Sequence, residues 1–422
     1  MSNVSEQVNR AVAEAYRAEW ALVLAATVRV ARDFDLAEEC VQEAYAQALV
    51  TWTRDGIPDR PGAWLLTTAK RRVLDVIRHE QVLRAKLPQL LIRAEDTPAS
   101  SVETNRTDDV PDDRLRLIFT CCHPALDKNA QVALTLRLIC GVSTGDIAGA
   151  FLVSETTMAA RVTRAKKKIA IARIPFRVPR GGDLPERLDA VLSVIYLLYA
   201  AGHVAPSGTQ LQRVDLAEQA LYVSRMLHQL MPDESEVAGL LALVLLTDAR
   251  RTTRTDGDGA LVRLEDQNRS EWNRAAIDEG RELVLRGMRV GPAGRYLIQA
   301  AIAALHAEAP TFDDTDWPQI VRLYDRLLQV WPSPVVALNR AVALSMAVDP
   351  TTALREVEAL EKDARLRAHH YLPAIKADLL RRLNRPADAV LAYQAALALA
   401  ENETEREFLT RRLHAVSGHQ RI

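Results

Sequence analysis

The sequence predicts an all-α protein, and three observations carry that prediction. Apolar residues recur at three- and four-residue spacing along most of the chain and almost nowhere with period two. Ala, Leu, Val and Arg are abundant while aromatics make up only 5% of the residues, so helix formers dominate. The 17 glycines and 19 prolines gather at a few breaks instead of punctuating many short segments. With 422 residues, the chain is long enough for two to four domains, each with its own core. Its net charge of -1 excludes a protein that is basic throughout, so any surface for a charged partner must come from segregated charge.

Composition narrows the class further. Cys40, Cys121, Cys122 and Cys140 fall inside apolar helical patterns, without the spacing of a zinc site or a secreted disulfide framework, and read as buried thiols of a reducing cytosol. The run Cys121-Cys122-His123 invites a metal reading, but adjacent residues on a helix point in different directions. The opening MSNVSEQVNR has no apolar core of a secretory signal. The longest apolar runs, 190–201 and 237–246, are shorter than the roughly 20 residues that span a bilayer. A cytoplasmic protein with no membrane partner, no metal and no cofactor is expected.

The elements follow in order. Residues 10–85 read as a compact helical domain in which Trp20, Leu24, Val28 and Ala31 form one stripe. A helix over 33–49 (DFDLAEECVQEAYAQAL) opens with acid, favourable at a helix N-terminus, and turns Leu36, Cys40, Val41, Ala44 and Ala48 inward. Glu38, Glu39, Gln42 and Glu43 are left as an exposed acidic and polar face. A loop over 51–62 carries Gly56, Pro58, Pro61 and Gly62. The helix after it, 63–80 (AWLLTTAKRRVLDVIRHE), has Trp64, Leu65, Ala69, Val73 and Ile77 as its core and Lys70, Arg71, Arg72, Arg78 and His79 as a basic side. Residues 94–113, rich in Asp, Glu, Ser, Thr and Pro, read as a flexible acidic linker.

Residues 142–173 (VSTGDIAGAFLVSETTMAARVTRAKKKIAIAR) read as two helices joined by a tight turn. Ile147, Ala148 and Phe151 form the inner face of the first. Ser154 is an N-cap, and Met158, Val162, Ala165 and Ile169 line the inside of the second. No carboxylate occurs between Glu155 and Asp183, so Arg161, Arg164, Lys166, Lys167 and Lys168 read as unopposed positive charge. A helix-turn-helix that begins its second helix with small polar residues and continues into such charge suits base contacts in a major groove with phosphate contacts behind them.

Beyond a Pro/Gly connector at 174–185, helical patterns continue to the end. The segments IVRLYDRL (320–327), ALREVEAL (353–360) and AVLAYQAA (389–396) start 33 and then 36 residues apart, each followed by a short break and another helix. That period resembles tetratricopeptide (TPR)-type hairpins, which bury their apolar faces only by stacking. Two acid-rich stretches invite an enzymatic reading: Asp248, Asp256, Asp258, Glu265 and Asp266, and, with His306, Glu308, Asp313, Asp314 and Asp316. Helix caps and interhelix loops explain these acids more simply than a catalytic pair, and the calcium-loop pattern around DGDG is incomplete. No catalytic residue is assigned.

The order AEECVQEAYAQAL, loop, AWLLTTAKRRVLDVIR resembles region 2 of the extracytoplasmic-function (group IV) sigma factors of bacterial RNA polymerase. The stretch 115–169 is similar to region 4 of the same family, and 240–272 (including DARRTTRTDGDGALVRLEDQNRSEW) resembles a hallmark of its subgroup with a C-terminal extension. The resemblance implies region 2 over 1–90, a linker over 91–113, region 4 over 114–174, a helical extension over 175–316 and TPR-like repeats over 317–422. It implies core polymerase and promoter DNA as partners. Glu39, Gln42 and Glu43 would dock on the clamp helices of the polymerase largest subunit. Arg54, Ile57, Arg60, Lys70, Arg71, Arg72 and Arg78 would serve the −10 element, the 51–62 loop capturing a flipped base. Ser154, Glu155, Thr156, Thr157, Arg161, Arg164, Lys166, Lys167 and Lys168 would serve the −35 element. The extension would regulate or support activity and offer a surface to a protein regulator.

Three positions depart from the family pattern. Leu152 stands where the turn commonly has Gly, and a left-handed Leu would cost about 1–2 kcal/mol. Arg71 replaces a frequent Asn, and Ala159 a common Lys or Arg. The competing readings are a TPR-type scaffold or polymerase-independent helix-turn-helix regulator, and a hydrolase using the C-terminal acids.

Overall fold

The computed structural model describes residues 2–86, 112–151, 153–205 and 211–418, and in these the chain is mostly α-helical, with short connections, a longer loop over 249–273 and a single bridge between Thr255 and Leu261. It divides into two compact units, Met1–Val194 and Ile195–Ile422. The acidic linker and Leu152 lie outside the described residues.

The first unit opens with α1 (Ser2–Ala31), α2 (Phe34–Asp55) and α3 (Pro61–Lys86). Trp20, Leu24 and Val28 of the expected stripe are buried, against Cys40, Val41, Ala44 and Ala48 of α2 and Leu65, Ala69 and Val73 of α3. Asp33 starts α2 by accepting a hydrogen bond from Leu36 N at 2.8 Å. The helix runs a turn and a half further than its sequence pattern indicates, because Trp52 is buried and meets Trp64 edge-on at 5.6 Å between ring centroids. Only 56–60 therefore remains as a loop, and Gly56 (φ +89°) ends the helix.

Next come α4 (Asp113–Cys121), α5 (Lys128–Leu134), α6 (Thr144–Ala150) and α7 (Glu155–Ile171), and then α8 (Leu184–His203), whose first part belongs to this unit. Helix α5 continues into one wide turn over Thr135–Ile139, with Cys140 N donating to Thr135 O at 3.2 Å. Cys40, Cys121 and Cys122 are buried and Cys140 half-buried, all as free thiols that burial pushes up from their ordinary pKa.

The second unit comprises the end of α8 and α9 (Val214–Leu230), α10 (Ser235–Asp248), α11 (Arg274–Val290), α12 (Arg295–Glu308), α13 (Trp317–Val330), α14 (Pro334–Ala347), α15 (Pro350–Leu360), α16 (Tyr371–Arg382), α17 (Pro386–Leu399) and α18 (Glu403–Gly418). The three repeated segments fall on α13, α15 and α17, each paired with the helix after it, and successive helices pack as hairpins. The buried residues of this stack gather in separate clusters, one over α12 to α14 and one over α14 to α18. Val357, Ala377, Ala389 and Ala396 are fully buried in its last part, as are Leu297, Ala300 and Ile320 further back. All ten residues of 237–246 are buried, and Gly239 lets α10 approach the α12 backbone so closely that a Cβ there would lie 2.6 Å from Leu297 N. Glu236 then caps α12, accepting from Tyr296 N at 2.9 Å and Leu297 N at 3.1 Å.

Candidate nucleic-acid interface

The helix-turn-helix forms as its spacing predicts. Ser143 caps α6 by accepting from Asp146 N (3.1 Å) and donates to the Asp146 carboxylate (2.6 Å). Ser154 caps α7 by accepting from Thr157 N (3.2 Å). Its hydroxyl also lies 2.9 Å and 2.8 Å from those of Thr156 and Thr157, so Ser154 holds the helix start in place. Ile147 and Ala148 are buried, as are Met158, Val162, Ala165 and Ile169. This packing leaves Ser154, Glu155, Thr156 and Thr157 exposed at the N-terminus of α7, with Arg164, Lys167 and Lys168 exposed along it. Arg161 lies over the Phe151 ring, 5.5 Å from its centroid, and is half-buried.

Lys166 behaves differently. Its side chain is only 11% exposed, and Nζ lies 2.7 Å from both Asp35 Oδ1 and Glu38 Oε2 of α2. Burial works against its charge, but Glu38 and Asp35 outweigh burial and hold its pKa above the ordinary lysine value. Lys166, one cation of the basic stripe, is therefore opposed from elsewhere in the chain, which the absence of local carboxylates did not reveal.

Glu38 is also not part of an exposed acidic face. It is 5% exposed and forms ion pairs with both Lys166 and Arg137. Its position one turn before Val41 and two before Tyr45 puts it on the buried stripe of α2, so its burial was legible in the spacing. Further contacts join the first three helices to the helix-turn-helix end of this unit. The wide turn and Gly141 leave the carbonyls of Leu138 and Gly141 without helical partners. Trp20 Nε1 donates to the first at 3.2 Å and Tyr16 Oη to the second at 2.8 Å. Gly141 has φ +69°, and a Cβ there would lie 2.9 Å from the Tyr16 ring. Arg29 lies 3.3 Å from Asp113. Tyr16, Trp20, Glu38 and Arg137 were not among the candidate residues.

Of the remaining candidates, Glu39 and Gln42 are exposed on α2, and Glu43 pairs with Arg72 of α3 at 2.5 Å. Arg54 pairs with its neighbour Asp55 at 2.7 Å, while Ile57 and Arg60 are exposed in the loop. Lys70 is half-buried, Arg71 exposed, and Arg78 exposed with Asp75 at 3.7 Å. The −10 candidates thus lie along the end of α2, the 56–60 loop and α3, and Arg72 is already partnered by a polymerase-binding candidate.

Most acids of the acid-rich stretches of the second unit have local partners. Asp256 accepts from Asp258 N and Ala260 N and closes its own turn. Glu265 and Asp266 pair with Arg263. Asp314 accepts from the Thr311 hydroxyl, and Asp316 caps α13. His123 Nδ1 accepts from Ala125 N, and Cys122 Sγ lies 3.6 Å from the Thr135 hydroxyl. No helix among the described residues is long and apolar enough to cross a membrane.

Comparison with known proteins agrees with this geometry. Residues 15–82 match the family model for Sigma-70 region 2, residues 116–169 that for Sigma-70 region 4, and residues 187–288 a family of unknown function, DUF6596. An uncharacterized protein of Rhizobium meliloti (strain 1021) is 42% identical over 392 residues, covering 92% of both chains. The probable ECF RNA polymerase sigma factor SigI of Mycobacterium tuberculosis, in strains CDC 1551 and H37Rv, is 30% identical over 164 residues. That match spans 39% of this chain and 56% of the relative.

Proposed function

The chain belongs to the extracytoplasmic-function sigma factors of bacterial RNA polymerase, and from that membership we propose how its residues divide the work of promoter recognition. The observation that carries the proposal is the α6–α7 pair, with a polar helix start exposed beside exposed Arg164, Lys167 and Lys168. Glu155, Thr156 and Thr157 reach base edges of the −35 element, and the cations behind them hold phosphates. Ile57 and Arg60 of the 56–60 loop meet the melted −10 strand, with Lys70, Arg71 and Arg78 along its backbone. Glu39, Gln42 and Glu43 dock on core polymerase in the cytoplasm.

The arrangement of the first unit is a closed one, in which Glu38 holds Lys166 away from DNA. Core polymerase engages α2, next to the residues that grip Lys166, and so favours an open form in which Lys166 joins the phosphate contacts. The extension supports activity and offers docking surface to a protein regulator. The first part of α8 belongs to the first unit, where Arg187 donates to Phe119 O at 2.6 Å. Co-elution of the purified chain with core polymerase on a sizing column, followed by footprinting on promoter DNA, tests this division. Protection at both −10 and −35 elements is expected, and protection by the chain alone equal to that of the complex would contradict it.

A further inference from the structure

Between α10 and α11, residues 249–273 form a loop whose ends are joined by Asn273 N donating to Ala249 O at 2.9 Å. Trp272 Nε1 donates to the Thr253 hydroxyl (3.0 Å) and Gln267 Nε2 to Val262 O (3.1 Å), so the loop is internally stitched. It carries five arginines. Two are neutralised: Arg251 by Asp248 and Glu218, Arg263 by Glu265 and Asp266. The other three, Arg250, Arg254 and Arg269, are not. Among the described residues none of them forms an ion pair with a carboxylate.

Each of the three is held at a different degree of completion. Arg254, 9% exposed, donates to His203 O at the end of α8. Arg269, also 9% exposed, lies over the Trp272 ring (4.7 Å) and donates through Nη1 to His306 O (2.6 Å) and Ala309 O (2.8 Å). Its Nη2 is buried without a partner, and so is His306 Nδ1. The Arg250 guanidinium makes no hydrogen bond among the described residues, and the residue is half-buried.

The electrostatics of these groups agree with their proximity. Burial, then Arg254 and Arg269, hold Arg250 below the ordinary arginine value. Burial together with Arg250 and Arg269 pushes His306 down to about 4, and burial with Arg254 and Arg250 pushes His203, 3.1 Å from the Tyr199 hydroxyl, well below the ordinary histidine value. The carboxylates nearest the group are engaged elsewhere: Asp248 with Arg251, Asp314 with Thr311, and Glu405 with Tyr371 and with His370 at 3.2 Å. Desolvated cations without counterions are costly, and clustering three of them adds repulsion. Planar guanidinium forks with free donors match the oxygens of a carboxylate or phosphate.

We propose that this arginine cluster is a binding site for a small oxyanionic ligand, bearing a carboxylate or phosphate group, whose oxygens are held by Arg250 and Arg269 with Arg254 at the edge. The site lies in the segment that resembles the hallmark of the extension, and it gives that segment a task that DNA and polymerase contacts do not. The inference does not depend on the reading of the sigma unit.

Thermal unfolding of the full chain tests it, with inorganic phosphate and succinate titrated separately against sodium chloride of matched ionic strength. One of the two should raise Tm saturably, by roughly 5 °C at high occupancy, while chloride does not. A response to phosphate alone assigns a phosphate-bearing ligand, and a response to succinate alone a carboxylate. Arg250→Met should remove the response and, by relieving an unpaired cation, leave the ligand-free chain at least as stable as the parent. Arg250→Gln, which keeps polarity without charge, should also lose the response and serves if the methionine variant does not fold. Absence of a saturable shift with both probes, or an undiminished shift in Arg250→Gln, would overturn the assignment.

Discussion

Replacing Glu38 by Gln should open the sigma unit. The Glu38 carboxylate is 5% exposed and is shared by Lys166 and Arg137, whose side chains are 11% and 18% exposed. Removing the anion leaves two desolvated cations, a defect worth about 3–5 kcal/mol where it cannot relax. Asp35 compensates little: it is 73% exposed, and its bond to Lys166 is worth about 1 kcal/mol at most. The penalty falls on the closed form alone, since opening returns Lys166 to water. The open-to-closed ratio then rises by about a hundredfold or more, and apparent affinity rises with the open fraction. Fluorescence anisotropy of the free chain on a −35 duplex should show binding tightened by at least about tenfold in Glu38→Gln, and by less than about fivefold in Asp35→Asn. The raised pKa of Lys166 makes the contact persistent: its stabilisation is fully present below the ordinary lysine value and is lost only as pH rises through the higher folded value. An unchanged Kd in Glu38→Gln accompanied by a lowered Tm would refute occlusion and reduce Glu38 to a core residue.

Three further outcomes follow from the same contacts. Arg164→Ala should weaken −35 binding for all sequences and lower the salt slope by about one, while Thr157→Ala should change sequence preference; salt titrations on matched and scrambled duplexes separate the two. Charge reversal at Glu39 should reduce co-purification with core polymerase at unchanged helicity, and the same change at Glu43 should in addition release Arg72, which thermal melting would register as a small loss. His306 has a depressed folded pKa, so its contribution to stability is present above the ordinary histidine value and is lost as pH falls through about 4; denaturant titrations over that interval should be flatter in His306→Gln.

How much of this was legible depended on whether the determinants were local. The helix-turn-helix was readable because Ile147, Ala148, Met158, Val162, Ala165 and Ile169 repeat at helical spacing and Ser154 supplies a cap within three residues of the backbone N–H that donates to it. The hairpins of α13 to α18 were readable for the same reason. The end of α2 was not, since 51–55 is helical through the burial of Trp52 against Trp64, a partner across the loop. The fate of Lys166 was invisible locally: its partners lie more than a hundred residues earlier, and only folding brings α2 to α7. Arg250, Arg254 and Arg269 were not singled out in the sequence, because nothing in a linear pattern tells which arginines lack a carboxylate.

The extension bears on truncation experiments as well. Cutting after about Arg180 removes Arg187 and the buried Leu188 and Val191, which belong to the sigma unit. Such a variant should lose output at its promoters through a weakened sigma unit as well as through a missing extension. A chain ending after Val194 separates the two effects.

The central claim is that this chain directs initiation at promoters, and run-off transcription measures it. Purified core polymerase with a promoter template should yield a discrete transcript from one start site only when the chain is added, and a chain carrying Glu39→Lys should reduce that transcript. A correctly folded chain that yields no start-site-specific transcript with core polymerase, on templates bearing promoters it protects, would contradict the account.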